Sequence, residues 1–121
     1  MLSVLPVTDN SELSEIYKSA NIQLTENAGA VVAKNGNEVL GLCLFTLKNN
    51  ITINYLAPAD DLMLADGILR SALHVAECNG VFTACYSNTA PINVLKKLDF
   101  ILDEAEKTLK IEKLHQGCHG C

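Results

Sequence analysis

The fold of this chain is decided by the stretch ADGILRSALHVAECNGVFTACYS, residues 65–87. Its first half carries apolar side chains three and four residues apart, the spacing that lines one face of an α-helix. These side chains are Ala65, Ile68, Leu69, Ala72, Leu73 and Ala76. Gly80 follows, as a glycine often does just past a helix end, and Val81 to Ser87 is almost continuously apolar. Such a run is typical of a strand buried on both faces, so the stretch predicts a helix that leads into a central strand.

The residues before this stretch predict a strand, a helix and an antiparallel meander. Asp9 and Glu12 have the spacing of a helix capping box, and Leu13, Ile16, Tyr17 and Ala20 then follow at helical spacing. Gly41 marks a bulge or a close approach of two backbones. The predicted strands, separated by Asn- and Gly-rich turns, are Leu2 to Pro6, Ala30 to Lys34, Glu38 to Leu47 and Ile51 to Leu56.

The residues after it predict one more helix and one or two closing strands. Pro91 suits the first turn of a helix, with Val94, Leu95 and Leu98 facing inward. Phe100 to Leu102 and Thr108 to Leu114 supply the strands. The expected order is β-α-β-β-β-α-β-α-β(-β), which belongs to the α/β class with a mixed, mostly antiparallel sheet.

Composition limits what this chain does. Its 121 residues suit one domain, which we place at residues 1–114, with a Cys/His-rich tail at 115–121. A net charge of −5 with scattered basic residues argues against a nucleic-acid partner. We expect no signal peptide, because MLSVLPVTDN at residues 1–10 has no basic residue before an apolar run, and no membrane span, because no run of 18 apolar residues is present. Cys43, Cys78 and Cys85 lie in apolar segments, so we expect buried thiols in a reducing, cytoplasmic compartment.

The segment NTAPINVLKKLDF, residues 88–100, resembles a segment of the GNAT family of N-acetyltransferases with the pattern N-x-x-A-x-x-L-Y-x-K-L-G-F. Asn88, Lys97, Leu98 and Phe100 are in register with it. Ile53 to Pro58 resembles the strand end that leads into the acetyl-CoA loop, and the likeness extends over Ala30 to Phe100. It implies a GNAT fold, acetyl-CoA or another acyl-CoA as cofactor, and a small-molecule or peptide amine as acceptor.

The resemblance also implies cofactor-binding residues, namely Leu56, Ala57, Ala65, Gly67 and Asn88. Ala65 stands where the family has a glycine, and Leu62 where it has a basic or amide residue. The glycines of that loop let the backbone approach a pyrophosphate at a helix start. Here the same loop carries carboxylates instead, from Asp60, Asp61 and Asp66.

No catalytic residue is assigned by the sequence. Leu95 occupies the position where the family commonly has a tyrosine that protonates the departing thiolate. Leucine cannot do this, and the alternative proton donors are the hydroxyls of Tyr55 and Tyr86 on neighbouring strands. We nevertheless expect both tyrosines to be core or rim residues with a satisfied hydroxyl. Glu26 and Glu38 are the only carboxylates that we consider as a general base.

The tail, HQGCHGC at residues 115–121, holds the densest group of reactive side chains. Cys118 and Cys121 form a C-x-x-C pair, which serves zinc ligation, iron–sulfur ligation or thiol redox chemistry. His115 supplies a third ligand, so we expect a zinc or iron site of two or three ligands. The missing ligand comes from a second copy of the chain or from His74 and Cys78.

Two functions remain open at this point. One is an acyl-CoA-dependent N-acyltransferase with a degenerate cofactor loop. The other is a non-catalytic binding module of the same fold that uses its tail for metal or redox sensing. Open backbone amides in the loop from Pro58 to Gly67 favour the enzyme, and carboxylates capping those amides favour the module. Exposed sheet edges make a homodimer plausible in either case.

Overall fold

A computed structural model describes residues 2–111, which form a seven-stranded mixed sheet and three helices. The predicted element order is confirmed, with both closing strands present. The strands are β1 Leu2–Pro6, β2 Ala28–Asn35, β3 Glu38–Leu47, β4 Ile51–Ala57, β5 Ala84–Tyr86, β6 Ile101–Asp103 and β7 Thr108–Leu109. The helices are α1 Asn10–Ser19, α2 Leu62–Cys78 and α3 Ile92–Lys97.

The sheet has the strand order β1-β2-β3-β4-β5-β7-β6. The first four strands pair antiparallel, which confirms the predicted meander of β2, β3 and β4. β4 and β5 are parallel neighbours joined through α2, and β7 then pairs antiparallel with both β5 and β6. The one parallel pair is therefore the place where the sheet changes its pattern of connection.

Apolar side chains pack against both faces of the sheet in two separate clusters. The larger cluster joins α2 and α3 to the sheet, and all six residues of the predicted α2 stripe are fully buried in it. The smaller cluster is built around Tyr17 of α1, with Ala30 and Leu44 beneath it. Successive residues of a strand alternate between these two faces, so Ile53 faces α2 while Thr52 faces the side of α1.

Gly41 confirms the predicted close approach of two backbones. A Cβ atom placed on it would lie 2.5 Å from the carbonyl oxygen of Ala57 and 2.7 Å from Ile68 of α2. The predicted bulge lies next to it, where the register between β2 and β3 shifts after the Ala33–Gly41 pair.

The central strand is shorter than predicted. β5 comprises only Ala84–Tyr86, and Phe82 is 62% exposed. The cause is the end of α2, where Gly80 has a φ of +76° and the amide of Val81 still donates to the carbonyl of Ala76. The chain therefore stays in the C-terminal turn of the helix until Val81, and the sheet begins later.

The prediction of three buried thiols is right only for Cys43. Cys85 is half-buried, and Cys78 is exposed at the last position of α2 because it lies outside the apolar stripe. Within residues 2–111, no helix combines the length and the apolar character needed to cross a membrane.

Candidate functional site

The most prominent opening in the sheet lies between β4 and β5. The two strands pair from Ile51 to Ile53, but β4 continues to Ala57 while β5 ends at Tyr86. They part where β4 contains a bulge: Phe45 of β3 faces Ile53 and the preceding Leu44 faces Tyr55, which leaves Asn54 as an extra residue. A bulge bends its strand and increases the local twist. We call the resulting gap between the C-terminal ends of β4 and β5 the mouth.

The bulge places two consecutive side chains on the face of α1. The Asn54 amide donates to the Thr46 hydroxyl at 3.0 Å, and Tyr55 packs against the cluster around Tyr17. The carbonyl of Asn54 accepts from the hydroxyl of Thr89 at 2.6 Å. Because Thr89 follows β5, this bond ties the two sides of the mouth together and holds them at a fixed distance.

Polar groups continue along this face at the root of the mouth. The Thr52 hydroxyl lies 3.2 Å from the Cys85 sulfur across the β4–β5 pair. The hydroxyls of Ser87 and Thr89 lie 2.9 Å apart. This face therefore offers hydroxyl, thiol and amide groups that suit a polar acceptor molecule.

A pocket of about 340 Å³ lies at the C-terminal end of β5. Its polar walls come from the β6–β7 turn and from the loop after β5, where the Lys107 ammonium donates to the Asn88 side-chain oxygen. Glu104 accepts from Lys96 at 2.8 Å, and this bond raises the pKa of Lys96. Ligands of α/β proteins commonly bind beyond the carboxyl ends of parallel strands. The lining residues are Tyr86, Ser87, Asn88, Ala90, Ile92, Glu104 and Lys107.

Tyr86 is the most unusual group in this pocket. Only 5% of its surface is exposed, and its hydroxyl is buried without a hydrogen-bond partner among the described residues. The prediction that this hydroxyl is satisfied is therefore wrong. Leaving a buried polar group unpaired costs about 1–3 kcal/mol, and such groups in native structures often mark a place for a ligand or a water. Tyr86 pairs with Ile53, the last pair before the strands part.

The start of α2, where the cofactor loop is expected, is capped by a carboxylate. Asp61 is the N-cap residue, and its side chain accepts from the amide of Leu64 at 3.1 Å. A helix leaves its first four amides without intrahelical acceptors, so those of Asp61, Leu62 and Met63 remain. Asp66 instead pairs with Arg70 at 2.8 Å, one turn further on.

The predicted cofactor residues occupy three different environments. Leu56 and Ala57 end β4 at the mouth, and Asn88 lines the pocket beyond β5. Ala65 is fully buried and its amide donates to the carbonyl of Asp61 at 3.0 Å. Gly67 is exposed in the second turn of α2. The reason is that α2 begins at Leu62, so both positions lie within the helix and the structure gives Ala65 no surface for a ligand. Contact with a cofactor stays a prediction for all five.

The remaining candidates are less well placed. Glu26 and Glu38 are exposed at opposite ends of β2, and Leu95 is fully buried. His115, Cys118 and Cys121 lie outside the described residues, and residues 2–111 contain no group of three metal-binding side chains. His74 and Cys78 do approach each other, with 3.5 Å between Nε2 and Sγ.

Asn54 and Thr89, which shape the mouth, were not predicted from the sequence. The signal for Asn54 was available, because the apolar alternation of Ile51 and Ile53 changes phase at Tyr55 and Leu56. Thr89 carried no signal, since its contact with Asn54 joins residues 35 positions apart.

These features define an α/β fold of the GNAT type: an antiparallel meander, a parallel β4–β5 pair that opens at a bulge, and a helix leading from one strand to the other. Among solved structures, the chain is similar to the ribosomal-protein-S18-alanine N-acetyltransferase from Escherichia coli. The TM-score is 0.59 at 15% sequence identity, over 81% of this chain and 76% of that one. No protein-family model and no curated protein sequence matches the chain. The likeness confirms the predicted GNAT fold.

Proposed function

We propose that this protein is an acyl-CoA-dependent N-acyltransferase that holds the thioester in the mouth and acylates an amine of a small molecule or peptide. The observation that carries the proposal is the mouth itself. Tyr55, Leu56 and Ala57 continue β4 with no strand beside them where β5 would lie, among the described residues. Strand residues without a neighbour present unpaired backbone amides and carbonyls. An extended ligand that itself carries amides is the natural partner for such an edge.

The residues at the root of the mouth suit acyl transfer. A bound acyl-CoA supplies a thioester carbonyl for attack by the amine and a thiolate that must be protonated as it departs. Leu95 cannot donate a proton, but the Tyr86 hydroxyl has a proton and no acceptor among residues 2–111. We assign the Tyr86 hydroxyl as the general acid that protonates the departing thiolate. General-acid groups of this kind contribute about 10²- to 10⁴-fold to a rate.

The nucleotide end of the ligand meets a less favourable surface. The Asp61 carboxylate already occupies the helix start, where a pyrophosphate would otherwise accept hydrogen bonds. Two like charges about 4 Å apart repel by about 1 kcal/mol in water and about 4 kcal/mol near a protein surface. We therefore expect weak binding of acetyl-CoA, with Asp61 as the residue that limits it.

Calorimetric titration with acetyl-CoA tests whether the protein binds this cofactor and whether Asp61 limits the affinity. Asp61→Asn keeps a good helix cap and removes the charge, so we expect affinity to rise about fivefold or more. Asp9→Asn is the matched control, because Asp9 caps α1 in the same way through the amide of Ser11 at 2.9 Å. It should leave the affinity unchanged. No heat with either the wild type or Asp61→Asn at millimolar acetyl-CoA would remove the main support for the proposal.

A non-catalytic binding module is the second candidate, and the cap by Asp61 favours it. The two functions differ in turnover. A protein that binds acetyl-CoA but releases no free CoA in the presence of amines and peptides is a module. Release of one CoA thiol per acylated amine identifies a transferase.

Metal binding by the tail remains part of the proposal, through His115, Cys118 and Cys121. The C-x-x-C spacing supports it, because such pairs commonly hold zinc or iron. A site of these residues lacks a fourth ligand for a closed tetrahedral ion. We also propose that the protein is cytoplasmic and forms a homodimer.

A further inference from the structure

The pocket at the C-terminal end of β5 keeps one unbalanced positive charge, although the whole chain has a net charge of −5. Two charged side chains line it, Glu104 and Lys107. Glu104 accepts from Lys96 at 2.8 Å, so its charge is balanced. Lys107 donates to the neutral side-chain oxygen of Asn88, and it forms no ion pair with a carboxylate of residues 2–111. Asp103 of the same turn accepts from two backbone amides of that turn.

The backbone fixes Lys107 at the wall of the pocket. Its carbonyl accepts from the amide of Tyr86 at 3.0 Å, and its own amide donates to the carbonyl of Glu104 at 3.3 Å. Its φ of +56° lies in the left-handed region, where glycine is the least strained residue. The local geometry thus gives no reason for a lysine, whereas the ammonium group supplies the unbalanced charge of the pocket.

The donors of the pocket suit a ligand with one negative charge. An ammonium group has three N–H donors and no acceptor, and Asn88 uses one of the three. A carboxylate only accepts, and it pairs with an ammonium group through strong, charge-assisted hydrogen bonds. Its single charge also matches the one charge that is left over. The volume of about 340 Å³ lies at the lower end for ligand pockets, which suits a small molecule.

The pocket lies on the opposite side of β5 from the mouth. β7 is the neighbour of β5 on that side, and the β6–β7 turn supplies one wall. Among the described residues, none from β4 lines the pocket. In the proposed function the mouth holds the thioester, so the pocket is left for the second reactant, which is the amine. Tyr86 lies between the two, since it pairs with Ile53 and also lines the pocket.

We propose that the pocket binds a carboxylate of the acceptor, and that the acceptor is a small amine that carries a carboxylate, such as a free amino acid. This inference rests on the proposed function and narrows its acceptor. Lys107 pairs with the carboxylate, which brings the amine toward Tyr86. The amine nitrogen bonds to the thioester carbon as the C–S bond breaks. Tyr86 gives its proton to the thiolate and regains one from the amine.

Binding is tested on the full chain, with and without acetyl-CoA, by saturation-transfer NMR. The probes are a pool of the common L-amino acids and a matched pool of their amides. We expect one or a few free amino acids to bind and their amides not to bind, because an amide has no charge to pair with Lys107.

Lys107→Met should weaken this binding about tenfold or more. Lys110→Met is the matched control, because Lys110 follows β7 and pairs with Asp99 at 3.1 Å. It should leave the binding unchanged. Circular dichroism shows whether each variant folds. No amino-acid signal in either condition, or equal signals from acids and amides, would overturn the inference.

Release of CoA from acetyl-CoA is then measured with each amino acid that binds and with its amide. We expect kcat/KM to be about tenfold or more higher for the free acid, and the difference to be lost in Lys107→Met. Equal rates for acid and amide would overturn the inference and leave the transferase. Binding of an amino acid that needs Lys107, without any release of CoA, would support the carboxylate site and overturn the proposed function.

The same variant separates the acceptor from the two parts of the acyl donor. An equal fall in acetyl-CoA affinity and in the rates with acid and amide would assign Lys107 to the phosphates of the cofactor. A preference for succinyl-CoA over acetyl-CoA that Lys107→Met removes would assign Lys107 to a carboxylate of the acyl group. Either result would overturn the inference.

Discussion

Two tyrosines are buried on opposite faces of the sheet, and their hydroxyls have opposite surroundings. Tyr17 of α1 is 2% exposed, and its hydroxyl lies 2.7 Å from the Gly29 carbonyl and 3.0 Å from the Phe45 carbonyl. Tyr86 of β5 is 5% exposed, and its hydroxyl has no partner among the described residues. On the face of α1 the buried hydroxyl is therefore fully hydrogen-bonded, whereas the hydroxyl at the end of β5 is free to bind a ligand. We therefore expect the functional site to lie at the end of β5, beside Tyr86.

The largest expected effect comes from Tyr86→Phe. If the hydroxyl protonates the departing thiolate, its removal should lower acyl transfer by about 100-fold or more. The free energy of unfolding should stay the same or rise, because the variant also removes an unpaired buried hydroxyl. Steady-state kinetics and urea unfolding measure the two changes.

Tyr55→Phe is the control for this variant, since Tyr55 lies beside the mouth on the other face. It should change the rate far less. Unchanged turnover in Tyr86→Phe would show that the hydroxyl has no catalytic role. A large loss of stability would show that it has a partner in solution.

Gly29→Ala should be a damaging change on the face of α2, where Phe45 belongs to the larger cluster. A Cβ atom at Gly29 would lie 2.5 Å from Phe45 Cε1 and 2.6 Å from Cζ, and Phe45 is itself buried. Overpacking of this kind costs about 1–3 kcal/mol. Thermal and urea unfolding check the loss.

Gly67→Ala is the matched glycine, because nothing lies within 4 Å of its added Cβ. It lies inside α2, so alanine should stabilise the protein by about 0.5–1 kcal/mol. Equal effects at the two glycines would contradict the packing that we describe at Phe45.

Tyr17→Phe should destabilise the protein by about 1–2 kcal/mol, because it removes the one hydroxyl proton that the Gly29 and Phe45 carbonyls share. The free energy of unfolding should therefore fall in Tyr17→Phe and stay the same or rise in Tyr86→Phe. Urea unfolding of the two variants side by side measures it. A neutral Tyr17→Phe would mean that the Gly29 and Phe45 carbonyls find other donors.

The smallest expected effect is a pH dependence that Tyr17 contributes. Burial raises the pKa of Tyr17 from about 10 to about 12. The folded state therefore keeps the proton more tightly than the unfolded state, so the contribution is complete below pH 10 and is lost as pH rises toward 12. In this range the stability of the wild type should fall more steeply than that of Tyr17→Phe. Parallel slopes for the two proteins would contradict the raised pKa.

Much of the fold could be predicted because its elements follow local rules. The α2 stripe, the Asp9 cap and the β3 limits depend on residues close together in sequence, and all three are confirmed. The prediction of a strand over Val81 to Ser87 was wrong at its start, because the C-terminal turn of α2 extends to Val81. An apolar run predicts that its side chains will be buried. It does not predict the residue at which the preceding helix ends.

The candidate site was predicted less well. The end of β4 and Asn88 followed from a resemblance in sequence, but the unpaired state of the Tyr86 hydroxyl depends on every side chain around it. The assignment of Ala65 to the cofactor loop assumed that α2 starts later than it does. Asp61 moves the start of the helix to Leu62, because its carboxylate caps the helix by accepting from the amide of Leu64 in the first turn.

The bulge at Asn54 has a consequence for how this opening changes with sequence. Before it, the odd-numbered residues Ile51 and Ile53 face α2; after it, the even-numbered Leu56 does. Substituting any one residue leaves that count unchanged, so point mutations keep the two strands apart. Deleting the extra residue restores the simple alternation, with Leu56 still facing α2, and removes the bulge. The width of the opening is therefore encoded in the number of residues in β4, and loss of a single codon is the shortest route to closing it.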